Sequence, residues 1–246
     1  MSLDVQGLRK SYGALAVTRD VDLLVPAPGL HALIGPNGAG KTTLIGQLAG
    51  TVAPDAGRVR LGGQDITRLP PHRRARLGLA RTYQISSLVP EFSAQETVAL
   101  AAQARAARPL RPWGRADRDV ALNAAAAAAL AAVGLGPRAA VRARDLSHGE
   151  QRALEIACAL AQGPSCILLD EPLAGMGHSE AMGIIALLRR LKGKYGLLLV
   201  EHDMDAVFAL ADQVTVLVAG GVIASGTPAA MRAHPGVRAA YLGDAC

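Results

Sequence analysis

The sequence predicts an α/β domain built on a mostly parallel sheet, with antiparallel strands near the N-terminus and a helical insertion. The composition is the first indication, because 50% of the 246 residues are apolar but only 3% are aromatic. An apolar content made mostly of Ala, Leu and Val favours helices and buried parallel strands. The order of segments is the second, because short apolar runs alternate with helical ones, as in sheets that carry helices on both faces.

The first third of the chain contains strand-like apolar runs separated by turns. Two early runs flank a turn around Gly13, and a third leads into a glycine-rich loop. A helical pattern and one more short strand follow the loop. The predicted strands are Leu3–Leu8, Val21–Val25, Gly29–Ile34 and Arg58–Leu61, and the predicted helix is Lys41–Ala49.

The middle of the chain, from about Ser93 to Gly163, is rich in alanine and has almost no β-branched runs. Prolines and glycines interrupt it, and these residues end helices. We therefore predict a helical insertion of three or more helices, about 93–163, within a single domain that spans residues 1–246. Its longest apolar run, Ala124–Val133, is too short to cross a membrane, which takes about 20 strongly apolar residues.

After Pro164 the alternation of strands and helices resumes. Ligands bind at the carboxyl ends of the strands in such sheets, so polar residues placed there are candidates for function. The predicted strands are Cys166–Asp170 and Leu197–Glu201, with a hairpin of Val214–Val218 and Val222–Ser225, and the predicted helices are Ser179–Lys192 and Asp203–Ala211.

The glycine-rich loop fits the phosphate-binding pattern G-x-x-x-x-G-K-[ST]. Its glycines let backbone N–H groups converge on an anion, and the following helix adds its positive N-terminal end. Lys41 is predicted to bind the β- and γ-phosphates, and the Thr42 hydroxyl to ligate Mg²⁺. The predicted phosphate-binding residues are Gly35, Pro36, Asn37, Gly38, Ala39, Gly40, Lys41, Thr42 and Thr43.

The strand that ends in Asp170 and Glu171 provides two carboxylates. At the tip of a buried strand, Asp170 is placed to hold Mg²⁺ through water. Glu171 is predicted to polarise a water aligned with the γ-phosphate, as a general base. An apolar run that ends in two acidic residues is by itself often only a strand reaching solvent, and the phosphate loop in the same chain favours the functional interpretation.

A third motif is the segment Leu146-Ser147-His148-Gly149-Glu150-Gln151. Ser147 and Glu150 have the S-x-x-E spacing of a capping box that opens a helix, predicted over Gly149–Gln162. The segment also resembles the signature motif of the ABC ATPase family. This resemblance implies that Ser147, Gly149, Glu150 and Gln151 bind the γ-phosphate of an ATP molecule held by an opposite subunit.

The resemblance covers nearly the whole chain and implies further site residues. Tyr12 corresponds to the residue that stacks on adenine, and His202 to the switch histidine that hydrogen-bonds the γ-phosphate. Gln84 corresponds to the glutamine that senses Mg²⁺ and contacts a transmembrane partner. The implied catalytic residues are Glu171, His202, Gln84 and Lys41, and the implied metal-binding residues are Thr42, Gln84 and Asp170. One position departs from the family, since Gly177 stands where many members carry an aspartate.

Within the family, the chain resembles the ATP subunits of branched-chain amino acid importers and, in part, those of urea importers. The resemblance is carried by Arg152–Ala157, the loop Pro172–Met176 and the tail Ala240–Gly243. It implies ATP and Mg²⁺ as cofactors, a second ABC ATPase subunit of the same or a homologous kind, two transmembrane permease subunits and, indirectly, an extracytoplasmic solute-binding protein. It also implies a peripheral location on the cytoplasmic face of the inner membrane.

Two other classes of ABC protein are alternatives. An exporter ATPase, such as that of lipopolysaccharide transport, shares every catalytic motif. A soluble ABC ATPase acting on nucleic acid is compatible with the net charge of +6 and a pI near 9.6. However, the chain has one copy of each motif and no heptad run, so no nucleic acid partner is expected. The basic stretches His72–Arg76 and Arg138–Arg144 are predicted to be solvated faces.

Overall fold

A computed structural model describes residues 1–82, 88–104 and 119–242, which divide into two compact units. The first, here called the sheet unit, comprises Met1–Arg81, Ser165–Glu171 and Leu188–Cys246. The second, the helical unit, comprises Thr82–Pro164 and Pro172–Leu187.

The strands of the described residues all belong to the sheet unit, whereas the helices are divided between the units. In chain order, the strands are β1 (Leu3–Tyr12), β2 (Leu15–Val25), β3 (Gly29–Ile34), β4 (Ala56–Leu61), β5 (Gln64–Asp65), β6 (Leu79–Arg81), β7 (Cys166–Asp170), β8 (Gly196–Val200), β9 (Gln213–Val218) and β10 (Gly221–Gly226). The helices are α1 (Lys41–Ala49), α2 (Pro71–Arg76), α3 (Ala94–Gln103), α4 (Val120–Val133), α5 (His148–Ala161), α6 (His178–Leu191), α7 (Met204–Leu210), α8 (Pro228–Ala233) and α9 (Pro235–Leu242).

Two sheets form the sheet unit as far as the structure describes it. One is antiparallel, in the order β2-β1-β4-β5, and the other has the order β10-β9-β3-β8-β7-β6. In the second sheet all neighbouring strands are parallel except β9 and β10. The predicted fold class is therefore confirmed, including the antiparallel N-terminal strands.

The core of the sheet unit is an apolar cluster that joins both sheets to helix α1. Leu44, Ile45 and Leu48 of α1 are fully buried in it. Burying an aliphatic side chain of this size contributes about 1.5–3 kcal/mol. The helix that follows the glycine-rich loop is thus held from inside the core.

In the helical unit, local capping sets the helix starts. Ser93 opens α3 and Ser147 opens α5, each in a complete capping box with a glutamate three residues later. Asp119 caps α4 by accepting hydrogen bonds from two backbone N–H groups. The capping box predicted at Ser147 is confirmed. How the chain divides into domains stays a prediction.

The element bounds differ from the predicted ones mainly by a few residues, but several short elements were not predicted. They are β5, α2, β6, α8 and α9. Strand β2 is much longer than the predicted Val21–Val25. None of the helices within the described ranges combines the length and the apolar character needed to cross a membrane.

The prediction that His72–Arg76 is solvated is wrong for Arg74, which is 2% exposed. Its guanidinium donates hydrogen bonds of 2.6–2.8 Å to four backbone carbonyls, those of Gln47, Leu48, Thr67 and Leu69. Two of them belong to the last turn of α1, where carbonyls have no partner within the helix. Burial lowers the pKa of Arg74 to about 10. A buried cation therefore closes the C-terminal end of α1, where the helix dipole favours positive charge.

Candidate functional site

The glycine-rich loop connects β3 to α1 and lies at the carboxyl end of β3. Strand β3 lies between β8 and β9, and β8 also pairs with β7. Because these strands are parallel, their carboxyl ends lie at one edge of the sheet. The sheet therefore brings the loop, Asp170 and the segment before His202 to the same edge.

The loop has a conformation that only glycine tolerates at Gly40. This residue has φ of +100°, and a Cβ atom there would lie 2.3 Å from the carbonyl oxygen of Val17. The loop tip at Asn37 and Gly38 is exposed, as is Thr42 at the start of α1. The arrangement agrees with a backbone cradle for an anion at the N-terminal end of a helix.

Lys41 is 9% exposed and turns back onto the loop that precedes it. Its Nζ donates hydrogen bonds to the carbonyl oxygens of Gly35 at 2.5 Å and Pro36 at 3.0 Å. Burial lowers its pKa, while the carboxylates of Glu171 and Asp170 raise it. The ammonium group therefore lies within electrostatic reach of both carboxylates.

Asp170 is the last residue of β7, with a side chain 7% exposed, and Glu171 follows it. Nη2 of Arg81 donates a hydrogen bond to Oδ2 of Asp170 at 3.0 Å. Glu171 has φ of +45°, a conformation that costs energy for a residue with a side chain and is concentrated at functional sites. Its backbone N–H is held by the Val200 carbonyl at 2.9 Å.

His202 lies just after β8, and its side chain is 65% exposed. The neighbouring Glu201 is 1% exposed. Its Oε2 accepts a hydrogen bond from the His202 backbone N–H at 3.2 Å and lies 3.8 Å from His202 Nδ1. The imidazole is thus free of the core and accessible from solvent, as a group that contacts a bound phosphate needs to be.

Tyr12 ends β1 with a 53% exposed side chain. Nζ of Lys10 lies 5.4 Å from the centre of its ring. Asp55 fixes this end of the strand by accepting hydrogen bonds from Lys10 Nζ and from the Ser11 backbone N–H, both at 2.7 Å. The exposed ring suits stacking on a flat base.

The residues predicted to hold Mg²⁺ fit that ion in their donor chemistry. Asp170 offers a carboxylate at a strand end and Thr42 an exposed hydroxyl, and both are hard oxygen donors. Within the part of the chain that the structure describes, no group of three or more His, Cys, Asp or Glu residues is arranged to hold a metal ion.

The signature segment belongs to the helical unit. Ser147 Oγ accepts a hydrogen bond from the Glu150 backbone N–H at 3.2 Å, and Glu150 Oε2 accepts one from the Ser147 backbone N–H at 2.9 Å. Gln151 Nε2 donates to the carbonyls of Ala143 and Leu146 at 3.1 and 3.2 Å, which fixes the preceding turn.

The backbone N–H of Gly149 lies in the first turn of α5, where N–H groups have no partner within the helix. It is hydrogen-bonded to another residue of the same subunit. It donates to Oε1 of Glu180 at 3.1 Å. That bond, followed by hydrogen bonds from the Gly177 backbone and the Ser147 side chain, lowers the pKa of Glu180. The carboxylate of Glu180 therefore accepts a hydrogen bond from a backbone N–H that the resemblance assigns to a phosphate. Gly177 has no side chain, and its backbone takes part in holding Glu180.

Gln84 lies outside the described residues. Arg81 and Glu180 were not predicted, although both contact predicted site residues. Arg81 stands at the end of a strand of three residues, too short for its apolar pattern to be recognised. Glu180 lies in the first turn of α6. An acidic residue there is usually explained by its favourable interaction with the helix dipole, so it gives no signal of a further contact.

Comparisons with known proteins place the chain among ATP-binding cassettes. The ABC transporter family model matches residues 18–174, and a model described as branched-chain amino acid ATP-binding cassette transporter matches residues 222–246. The chain is 38% identical to the high-affinity branched-chain amino acid transport ATP-binding protein BraF of Pseudomonas aeruginosa, over 99% of this chain and 98% of BraF. It is 36% identical to LivG of Escherichia coli, which has the same description, over 99% and 98% of the two chains.

Two further similarities concern an exporter and a solved structure. The lipopolysaccharide export system ATP-binding protein LptB of Acidithiobacillus ferridurans is 37% identical, over 98% of this chain and 97% of LptB. The ADP conformation of MJ1267, an ATP-binding cassette of an ABC transporter, superposes with a TM-score of 0.87 at 27% identity and covers 99% of both chains. The α/β architecture, the motifs and these similarities agree, and the chain belongs to the ABC transporter family of ATP-hydrolysing, ATP-binding subunits.

Proposed function

We propose that this chain is the ATP-hydrolysing subunit of an importer for branched-chain or other amino acids, or for urea and related amides. The observation that carries the proposal is the match of residues 222–246 to the branched-chain amino acid transporter model, in addition to the general ABC match. The similarity to BraF and LivG over almost their full lengths supports it. Because an ATP subunit does not bind the cargo, the cargo is inferred from this relationship alone.

In the proposed mechanism, the glycine-rich loop and the N-terminal end of α1 bind the phosphates of ATP. Lys41 exchanges its two loop carbonyls for phosphate oxygens, and Tyr12 stacks on the adenine. When bound, ATP and Mg²⁺ supply the bond to be hydrolysed and the cation that neutralises its charge. Thr42 and Asp170 would hold the metal together with Gln84, which lies outside the described residues.

Glu171 is the proposed general base, which accepts a proton from the attacking water. His202, exposed at the same edge of the sheet, donates a hydrogen bond to the γ-phosphate. These assignments follow from the position of each side chain at a strand end and from the family resemblance. The hydrogen bond from the Glu171 backbone N–H to the Val200 carbonyl fixes the backbone at this position. A fixed backbone favours a general base here, because a fixed carboxylate positions the water better than a mobile one.

The proposed working form is a pair of ABC ATPase subunits with two ATP molecules between them, either two copies of this chain or this chain and a homologue. Ser147, Gly149, Glu150 and Gln151 bind the γ-phosphate of the ATP held by the other subunit. We place the pair on the cytoplasmic face of the membrane against two permease subunits, with an extracytoplasmic solute-binding protein that delivers the cargo.

An exporter ATPase is the second candidate, because LptB is similar over 98% of this chain. The proposal is tested by purifying the tagged chain from its native membranes in mild detergent and identifying the co-purified proteins by mass spectrometry. Two polytopic permeases of an amino acid or amide importer are the expected result. Lipopolysaccharide-export components would support the second candidate, and soluble nucleic-acid-associated proteins alone would contradict both.

A further inference from the structure

Arg81 ends β6, and its side chain lies against the carboxylate that we propose for Mg²⁺ binding. Nη2 of Arg81 is 3.0 Å from Oδ2 of Asp170. Strands β6 and β7 are parallel and pair Arg81 with Leu168. Because side chains alternate along a strand, Asp170 lies on the same face of the sheet as Leu168. The sheet register therefore brings the two charged groups together.

The environment makes this ion pair different from a surface pair. The Arg81 and Asp170 side chains are 16% and 7% exposed. Solvent screens such a pair only weakly, so its attraction is stronger than that of exposed charges. A carboxylate this far from water is also unfavourable without a positive partner. Arg81 supplies a positive charge in direct contact with Asp170, and the Lys41 ammonium lies within electrostatic reach.

Mg²⁺ requires the same carboxylate and carries charge of the same sign as the guanidinium. The two cations cannot share Asp170 without repelling each other at short range. We propose that Arg81 is a positioning residue that holds Asp170 until nucleotide arrives and competes with Mg²⁺ for it. This inference rests on the proposed function, because it takes Asp170 as a Mg²⁺-binding residue.

The competition predicts a measurable coupling between Mg²⁺ and nucleotide. In an Arg81→Gln variant, Asp170 keeps its charge but loses the guanidinium that hydrogen-bonds it, while Lys41 stays within electrostatic reach. Without Mg²⁺ that charge repels the phosphates of ADP, and with Mg²⁺ the metal meets no competing cation. Both effects act in the same direction. We expect the ratio of the ADP Kd in EDTA to the ADP Kd in saturating Mg²⁺ to rise about tenfold over the wild type.

The experiment is isothermal titration of ADP into the full chain in the two buffers. Arg73→Gln is the matched control, because Arg73 is an exposed arginine of the same unit and its loss changes the net charge equally. We expect this control to keep the wild-type ratio. Arg81→Lys keeps a positive charge without the guanidinium, and we expect an intermediate ratio.

A double variant keeps the inference testable if Arg81→Gln does not fold. Arg81→Gln combined with Asp170→Asn removes both charges of the ion pair, and we expect its ratio to equal that of Asp170→Asn alone. The inference would be overturned if Arg81→Gln left the ratio of the two ADP Kd values unchanged or lowered it. It would also be overturned if Arg81→Gln changed this ratio equally in the wild-type background and in the Asp170→Asn background. Failure of the wild type to bind ADP in either buffer would overturn the proposed function and this inference with it.

Discussion

In the sheet unit Lys41 and Asp170 of the candidate site are buried, whereas in the helical unit Ser147 of the signature segment lies at an exposed helix end. Lys41 and Asp170 are 9% and 5% exposed, and Ser147 is exposed. In each unit a side chain of the same subunit contacts a group that we propose for ligand binding. Arg81 lies on the carboxylate proposed for the metal, and Glu180 lies on a backbone N–H proposed for a phosphate.

The difference shows two ways in which the polar groups of a binding site are stabilised. A buried site requires tertiary partners for its charges, since an unpaired buried charge is costly. An exposed helix end needs only a local cap, which contributes about 1 kcal/mol. Changes in the sheet unit are therefore expected to have larger effects than changes in the helical unit.

The largest expected effect is on catalysis in the sheet unit. Glu171→Gln removes the proposed general base and is expected to slow ATP turnover by about 10²–10⁴-fold, the usual contribution of such a group. ATP binding is expected to persist, so the variant should accumulate as an ATP-bound dimer in gel filtration. Glu91→Gln, at an exposed glutamate of the helical unit, is the control. Normal phosphate release by Glu171→Gln would contradict the base assignment.

The next effect is on stability, at the buried end of α1. Arg74→Met leaves four backbone carbonyls without their donor and is expected to destabilise α1 by about 3 kcal/mol. Arg73→Met changes the exposed neighbour and is expected to stay within about 0.5 kcal/mol. Hydrogen exchange of the α1 amides measures both. Equal protection of the α1 amides from hydrogen exchange in the two variants would show that Arg74 does not stabilise this helix.

A smaller effect is expected in the helical unit. Ser147→Ala and Ser93→Ala each remove the cap of one capping box, and each is expected to cost about 1 kcal/mol in helix stability. Only Ser147→Ala is also expected to weaken ATP-driven dimer formation, because Ser147 is proposed to contact the ATP of the second subunit. Sedimentation of the two variants with ATP separates the roles. Equal dimerisation would limit Ser147 to capping.

The smallest effect is a pH dependence that originates in the sheet unit. His31 is 4% exposed, and its Nδ1 and Nε2 lie 2.8 Å from the Leu24 carbonyl and the Thr215 hydroxyl. Burial lowers the pKa of His31 below the ordinary value of 6.5. Below that pH the unfolded chain binds more protons than the folded one, so this contribution to stability is present at higher pH and lost as the pH falls.

Thermal unfolding of the wild type and of His31→Gln between pH 8 and 5.5 measures this contribution. The wild type is expected to lose more stability than the variant as the pH falls below 6.5. A parallel decline of both proteins would assign the pH dependence to other groups.

Much of the fold could be predicted because its determinants are local. Apolar runs such as Gly29–Ile34 and Cys166–Asp170 predict buried strands, and the spacing of Ser147 and Glu150 predicts a capped helix. The order of these elements was sufficient to predict a mostly parallel sheet. Short elements such as β6 were missed, because a run of three residues has too few positions to show a period.

The sequence by itself determined the family, the glycine-rich loop and the capped signature helix, because the groups involved are within a few residues of one another. Only the tertiary structure decided the partners of the charged side chains. Arg81 and Asp170 are 89 positions apart, Gly149 and Glu180 are 31 apart, and Arg74 and Gln47 are 27 apart. No local pattern encodes such pairs. They form because sheet register and helix packing bring distant residues together, and because burial then requires each charge or carbonyl to have a partner.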